Sequence, residues 1–336
     1  MKYFLDKLLA GEDLSAMEAE RLLETLTADN VSPAQAAAVL TALRIKGESA
    51  GELLGMARLL RRSAKHIDCG SKECIDIVGT GGDGGISFNV STTSSFVAAG
   101  AGAVVAKHGN RAVSGKCGAA DVLAELGFNL NTSPEKMEYS IQKHGIGFLF
   151  APLMHPRLGK VAALRRELGF RTIFNMLGPL CNPAEASGMV LGVYDPKLCE
   201  LFAETLRTLG VKRAMVVAAH DGLDEISCAV STRVAELENG IIHCYELFPE
   251  MLLGDTFPTS SIAGGDAACN GKIMKAVLSG EDRGAARAIV LLNSAAAIRA
   301  SGLAADMAEG INLAERSIDS GAALAKLELL IKESCR

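Results

Sequence analysis

Three short stretches of this chain hold residue types that can do chemistry together. The first is GTGGDGG at 79–85, followed directly by SFNVSTT at 87–93. Glycines around an acid let the backbone turn its N–H groups inward, as a nest for anionic oxygens. Asn89, Val90, Ser91 and Thr92 then open a helix, whose N-terminal N–H groups and dipole suit a phosphate. The second stretch is KHGNRAVSG at 107–115. Lys107 and Arg111 can neutralise a phosphate, and Asn110 can donate to a carboxylate or ring substituent. The third is HDGLDE at 220–225, whose adjacent Asp224 and Glu225 suit Mg²⁺, a cation that takes few protein oxygens and shares the rest among water and phosphates.

Each stretch has a plainer reading: a tight turn with an N-cap, a solvated loop, an Asp-rich turn. Together, at the ends of strands of one sheet, they describe a crevice for a magnesium–polyphosphate ligand. The glycine loop has neither the GK[ST] of a P-loop nor the GxGxxG of a dinucleotide site, which argues against the commonest ATPase and NAD-dependent chemistries. No catalytic triad is evident, and none of the three loops contains cysteine. Where bond cleavage is dissociative, His108 is not needed as a general base.

The positioning elements follow from periodicity. Up to about residue 68 apolar residues recur three and four apart, as in Phe4-Leu5-Leu8-Leu9 and Leu22-Leu23-Leu26. Ser15 with Glu18 predicts a capping box, and Ser32-Pro33 a helix start. Short β-like runs come next, at 74–78, 103–106, 147–150, 189–194 and 214–219, with helical stretches between most of them. Two alternating runs, 226–237 and 241–247, flank Asn239-Gly240 and predict a hairpin. From about Asp266 the pattern is helical to the end. The expected fold is α/β: a small all-helical domain plus a larger α/β domain with a mainly parallel central sheet covered on both faces. The expected boundary lies at residue 68, and helical pattern at 157–168 and 171–177 suggests that a segment near 157–185 completes the helical domain. The larger domain then spans 69–336.

Composition narrows the class. The 336 residues carry 34 Lys+Arg against 39 Asp+Glu, a net charge of −5 with a pI near 5.8, which argues against a broad basic face for nucleic acid. Trp is absent and aromatics are 4%, so stacking platforms for single strands are scarce. Mean hydropathy is +0.23, yet the longest apolar run, 96–106, contains two glycines and falls short of the roughly 18 residues a span needs. The first residues mix acids with apolar groups and read as an amphipathic helix, so the expected location is the cytoplasm. Nine cysteines without a CxxC pair fit structural thiols in a reduced compartment.

Taken in order and at their spacing, GTGGD, NVST, KHGNRAVS and DGLDE closely resemble the anthranilate phosphoribosyltransferases of tryptophan biosynthesis. The resemblance runs nearly end to end, through His155-Pro156, Arg165, RTIFNMLGPLCNP at 171–183 and GGDAACN at 264–270. It implies the architecture shared with nucleoside phosphorylases, a homodimer formed through the helical domain, and a Mg²⁺-dependent glycosyltransferase. The implied reaction joins anthranilate to 5-phosphoribosyl 1-diphosphate and releases diphosphate. It also implies that Gly79, Gly82, Asp83, Ser87, Asn89, Val90, Ser91 and Thr92 hold the phosphoribosyl donor. Lys107, His108, Gly109, Asn110, Arg111, Ala112, Val113, Ser114, Gly115 and Ala119 would share in that task. Gly79, Asn110 and Arg165 would contact anthranilate, and Ser91, Asp224 and Glu225 would bind two Mg²⁺ ions.

The chain departs from the family's S-S-x-S-G-S-A-D pattern, reading Ser114-Gly115-Lys116-Cys117-Gly118-Ala119-Ala120-Asp121. Three hydroxyls are missing from the donor loop, which predicts weaker donor affinity than a serine-bearing version. At 249–254 PEMLLG also replaces the usual P-E-D-F-G. Three competing functions are another aromatic amine as acceptor, a pyrimidine nucleoside phosphorylase, and a non-catalytic nucleic-acid-binding relative. The paired DE with NVST argues against the second, and the acidic pI against the third.

Overall fold

The computed structural model describes residues 1–28, 31–70, 73–81, 85–112 and 115–336, without the side chains at 160, 162–163 and 165–166. Four helices come first: α1 (Lys2–Leu9), α2 (Ala16–Leu26), α3 (Pro33–Lys46) and α4 (Ala50–Ser63). Both expected helix starts are present: Ser15 and Glu18 close a reciprocal capping box, and Ser32 caps α3 with Pro33 in its first turn. A second box, Ser49 with Glu52, starts α4. Glu52 is fully buried, and it accepts hydrogen bonds from the Leu14 N–H at 3.0 Å and Lys46 Nζ at 3.1 Å. One carboxylate thereby ties the ends of three segments together.

The chain then alternates: β1 (Ile75–Gly79), α5 (Val90–Gly100), β2 (Val105–Gly109), α6 (Ala119–Glu125), α7 (Pro134–His144), β3 (Ile146–Phe150), α8 (Ala151–Met154), α9 (Gly159–Leu168), α10 (Ile173–Leu177), β4 (Gly188–Gly192), α11 (Cys199–Thr208) and β5 (Arg213–Ala219). The antiparallel pair β6 (Thr232–Glu238) and β7 (Ile241–Leu247) follows, and then α12 (Pro249–Leu253), α13 (Ala267–Leu278), α14 (Ala285–Ala300), α15 (Met307–Asp319) and α16 (Ala322–Cys335). Helices α9 and α10 return in mid-chain to pack on α3 and α4.

The sheet order is β3-β2-β1-β4-β5-β6-β7, parallel through β5 and antiparallel beyond it. The expected hairpin is present, with Asn239 and Gly240 both at positive φ, 53° and 76°, as its tight turn requires. Helix α14, buried along almost its whole length, packs with α5 against the sheet centre. Because β1 leads to β2 on one side and lies beside β4 on the other, the topology reverses between β1 and β4. That is where a ligand crevice opens beyond the carboxyl ends of parallel strands.

Two strand expectations need correction. Strand β2 spans Val105–Gly109, two residues later than expected at its start, so Lys107 and His108 belong to a strand and not to a loop. The stretch 226–231 is not strand; β6 begins at Thr232, because Ile226 is held instead by Asn293, which takes its N–H at 3.0 Å and donates to its carbonyl at 2.9 Å.

Candidate active site

At the switch point the ends of β1 and β4 lie in register, Gly79 beside Gly192, and the Thr80 N–H donates to the Gly192 carbonyl at 2.9 Å. The loop after β5 folds across both ends. Asp224 Oδ2 accepts the Gly81 N–H at 2.7 Å, and Glu225 Oε2 accepts the Ser87 hydroxyl at 3.0 Å. The fit depends on two missing side chains: a Cβ at Gly79 would collide with Asp224 Oδ2, and one at Gly192 with the Asp224 carbonyl. The first and third stretches of the sequence therefore converge, as expected. Asp221 does separate work, accepting from Ser227 Oγ at 2.9 Å and Thr259 Oγ1 at 2.7 Å to shape the turn.

The second stretch closes the other side. A Cβ at Gly85 would meet Gly115 Cα at 3.4 Å, so the two loops touch backbone to backbone. Arg111 pairs with Asp121 at 2.7 Å, and the other Asp121 oxygen accepts the Ala112 and Gly118 N–H groups at 2.9 and 3.0 Å. Those hydrogen bonds and the Arg111 charge outweigh the effect of burial and lower the Asp121 pKa. Asn110 accepts the Arg111 N–H at 2.8 Å on an exposed turn. Gly109 fits because its missing Cβ would press on the Phe148 ring, and Ala119 starts α6 immediately beside it.

Asn89 opens α5 as expected, but its side chain does not cap the helix. It donates to the Cys117 carbonyl at 3.2 Å and accepts from Asn270 Nδ2 at 3.0 Å. Asn270 in turn takes the Gly265 N–H at 2.7 Å, and the return of the first loop pairs with 262–264 through Phe88 and Gly264. Val90 and Thr92 are buried, while Ser91 is half-buried at the helix start. Gly82, Asp83, Val113 and Ser114 lie outside the described residues, and so does the side chain of Arg165, whose backbone is in α9.

The expectation that Lys107 neutralises a phosphate directly meets a different geometry. Alternation along β2 turns its side chain into the sheet, where it is 5% exposed and Nζ donates to the Ile77 carbonyl at 2.6 Å. Its counter-charge is Asp76, fully buried on β1, whose oxygens accept the His108 N–H at 3.1 Å and Asn182 Nδ2 at 2.7 Å. Burial pushes the Asp76 carboxyl up to about 6 against the pull of the Lys107 ammonium and the Asn182 hydrogen bond. Asn182 also donates to the Ala106 carbonyl at 2.8 Å. The sequence signal for this network was a lone acid inside an apolar strand, Ile-Asp-Ile, which only a buried partner can support.

His108 meets His155 edge to face, with ring centroids 5.1 Å apart. Both Nε2 atoms are buried and, among the described residues, without a hydrogen-bond partner. Burial holds His108 down at about 3, with His155 adding to the effect, and burial holds His155 down at about 4. Both rings are neutral near pH 7 and too weakly basic to take a proton readily. Cys181 joins them, its ligand atom and theirs all within 4.8 Å of one another. The Lys107 and Arg61 charges face this cluster, and the Asp76 carboxylate faces Cys181.

Residues 71–324 match the model of the α/β domain of a glycosyl transferase family, and residues 2–64 match that family's helical bundle domain. An anthranilate phosphoribosyltransferase of Desulfosudis oleivorans is 49% identical over 328 residues, covering 98% of this chain and 97% of that protein. The chain belongs to the anthranilate phosphoribosyltransferase family. The Myxococcus xanthus member is 48% identical over 333 residues, 99% of this chain and 98% of its own. Among solved structures, the Thermus thermophilus anthranilate phosphoribosyltransferase superposes with a TM-score of 0.93 at 39% identity, covering 99% of both chains. The Saccharomyces cerevisiae enzyme, in complex with PRPP and Mg, gives 0.89 at 30% identity over 99% of this chain and 97% of that one. The helical unit followed by a mainly parallel α/β unit is thus this family's fold.

Proposed function

We propose that the chain transfers the phosphoribosyl group of 5-phosphoribosyl 1-diphosphate to the amine of anthranilate, giving N-(5-phosphoribosyl)anthranilate and diphosphate in tryptophan biosynthesis. It is a Mg²⁺-dependent glycosyltransferase. The observation that carries this reading is the lock between Asp224 and Gly81, which sets an acidic pair against a glycine loop at the switch point of the sheet.

We assign the donor to the glycine loop with Gly79, Gly82, Asp83 and Ser87, to Asn89–Thr92 at the start of α5, and to 107–115 with Ala119. Helix α5 favours this role, because the side chain of its N-cap residue, Asn89, does not cap its first turn. Lys107 acts from beneath, as a buried charge that fixes the strand end carrying His108, Gly109 and Asn110. Arg111 supplies the exposed charge, on a guanidinium held by Asp121.

Magnesium fits the residues present. Asp224 and Glu225 offer hard oxygen donors beside the donor loop, and Ser91 lies at the start of the same helix. We assign two ions to these three residues; when bound, they offset the charge that builds on the departing diphosphate. The chain's own contribution is orientation. Anthranilate's amine carries no charge near neutral pH, so holding it in line with C1 of the ribose matters more than removing a proton. Arg165 is assigned to the acceptor carboxylate, with Gly79 and Asn110 beside it.

The same reading divides the chain at residue 68, with the segment near 157–185 assigned to the helical unit and 69–336 otherwise to the donor-binding unit. Exposed Tyr3, Leu9, Met17 and Ile45 on that helical unit support a homodimer formed through it. No described helix is long and apolar enough to cross a membrane, which agrees with a cytoplasmic enzyme.

The test is anthranilate fluorescence with purified protein, donor and Mg²⁺, omitting each in turn. Loss of signal only with all components present supports the transferase. Donor binding by calorimetry without that loss would move the question to the acceptor, and absence of both would overturn the reading.

A further inference from the structure

Cys69 and Cys74 are free, buried thiols at the entry to β1. Their sulfurs lie 2.8 Å apart, inside ordinary contact and about 0.8 Å beyond a disulfide bond length. Cys117, Cys181, Cys199 and Cys228 direct their sulfurs at oxygens, as Cys74 Sγ also does at 3.9 Å from the Ala184 carbonyl, but Cys74 alone of these five meets a second sulfur among the described residues. Beside the pair lies an open cavity of about 430 Å³, bordered by both cysteines with His66, Asp68, Glu73 and Lys212. Its mixed charges suit a small zwitterionic molecule.

We propose that Cys69 and Cys74 are a redox modification site, closing to a reversible intramolecular disulfide when a small-molecule disulfide enters this cavity. The Cys69 thiolate attacks one sulfur of that molecule, forming a mixed disulfide and releasing one small thiolate. The Cys74 thiolate then attacks the Cys69 sulfur, forming the protein disulfide and releasing the second. The two thiol protons pass to the two released thiolates, so two electrons leave the protein and reduce the small disulfide. The order follows from the surroundings. The hydrogen bond with Cys69 and burial hold the Cys74 thiol protonated at first; once Cys69 is a mixed disulfide that hydrogen bond is gone, and Cys74 can ionise and attack as the second, resolving sulfur.

The bond would brace a junction. Cys69 lies on the connector from α4, which is tied down by the Lys65 N–H to the Met154 carbonyl at 3.0 Å and the Ile67 N–H to the Pro183 carbonyl at 3.1 Å. The Cys74 carbonyl accepts the Ser187 N–H at 3.0 Å and the Gly188 N–H at 3.3 Å where β4 begins. A disulfide there joins the connector covalently to the centre of the sheet.

The test uses the full chain with the exposed Cys244, Cys269 and Cys335 changed to serine, reduced, freed of reductant and incubated folded with oxidised glutathione. Expected are the loss of two thiols, a mass lower by two hydrogens, and a 69–74 link in the peptide map. Dithiothreitol should reverse all three, and Tm should be roughly 3 °C higher in the oxidised form. Cys69→Ser should remain unmodified, and Cys74→Ser should stop with one glutathione on Cys69. An unchanged thiol count, a lasting glutathione adduct on the parent protein, or a link between other cysteines overturns the site. An unchanged Tm overturns the bracing.

Discussion

The carboxylate of Asp224 occupies the space in which any residue but glycine at position 79 would place its Cβ. The strand end and the acidic loop are thus shaped to each other before any ligand arrives, with the Gly81 N–H as the bond between them.

Gly79→Ala should therefore act on catalysis through Asp224. The added methyl must push the carboxylate away from Gly81, and we expect kcat/KM to fall by about 10²-fold, in line with an ångström-scale misplacement. Donor and Mg²⁺ titrations with the variant check this; wild-type kinetics would refute it.

Glu225→Gln keeps an acceptor for the Ser87 hydroxyl but removes a charge. The concentration of Mg²⁺ giving half-maximal rate should rise about tenfold, with the far-ultraviolet spectrum and Tm little changed. A magnesium titration at saturating donor reads the shift directly.

Gly115→Ser and Ala119→Ser restore hydroxyls to the donor loop. Among the described residues a Cβ at Gly115 would meet only Gly85 Cα, at 3.7 Å, an ordinary contact distance. The Michaelis constant for the donor should drop several-fold in the double variant, each added bond contributing about 0.5 kcal/mol. An unchanged constant would mean that backbone N–H groups already satisfy the donor.

The paired histidines set an acid limit on stability. Their folded pKa values, about 3 and about 4, lie below the unfolded value near 6.5, so the unfolded chain binds more protons between those limits. Above pH 6.5 their burial carries no proton-linked penalty, and stability falls as the pH drops from there towards 4 and 3. A Tm series from pH 7.5 to about 4 should show this decline, and His155→Asn should flatten it.

Glu52→Ala tests the helical unit alone. It strips the Leu14 and Ser49 N–H groups of their acceptor and leaves the Lys46 ammonium with Asp13 and the Gly47 carbonyl, and should cost about 2 kcal/mol. Denaturant unfolding gives the number, and Glu52→Gln should recover part of it by keeping an acceptor.

The helix caps, the alternation of strands with helices and the hairpin turn were legible in the chain because each rests on local chemistry. The meeting of the first and third loops, 143 residues apart at Gly81 and Asp224, was legible because both follow strands of one parallel sheet. Strand β2 was not. Val104 and the alternation beyond it fit either register, and only pairing with β1 and β3 places Lys107 inside the sheet. The cluster of His108, His155 and Cys181 was equally hidden, since three separated residues meet only through the fold. Asn270 fell within a recognised motif, yet its partner Asn89 stands 181 residues earlier, and no periodicity reports such a bond.

That last bond makes the order of synthesis matter. The glycine loop, α5 and the first four strands emerge from the ribosome well before residue 270, yet Asn89 gains its lock from Asn270 only when α13 arrives. A nascent or truncated chain ending near residue 260 has all seven strands of its sheet and lacks the clasp at the donor helix. Completion of the site is therefore a late event, and the chain finishes its binding surface only after most of its core has been made.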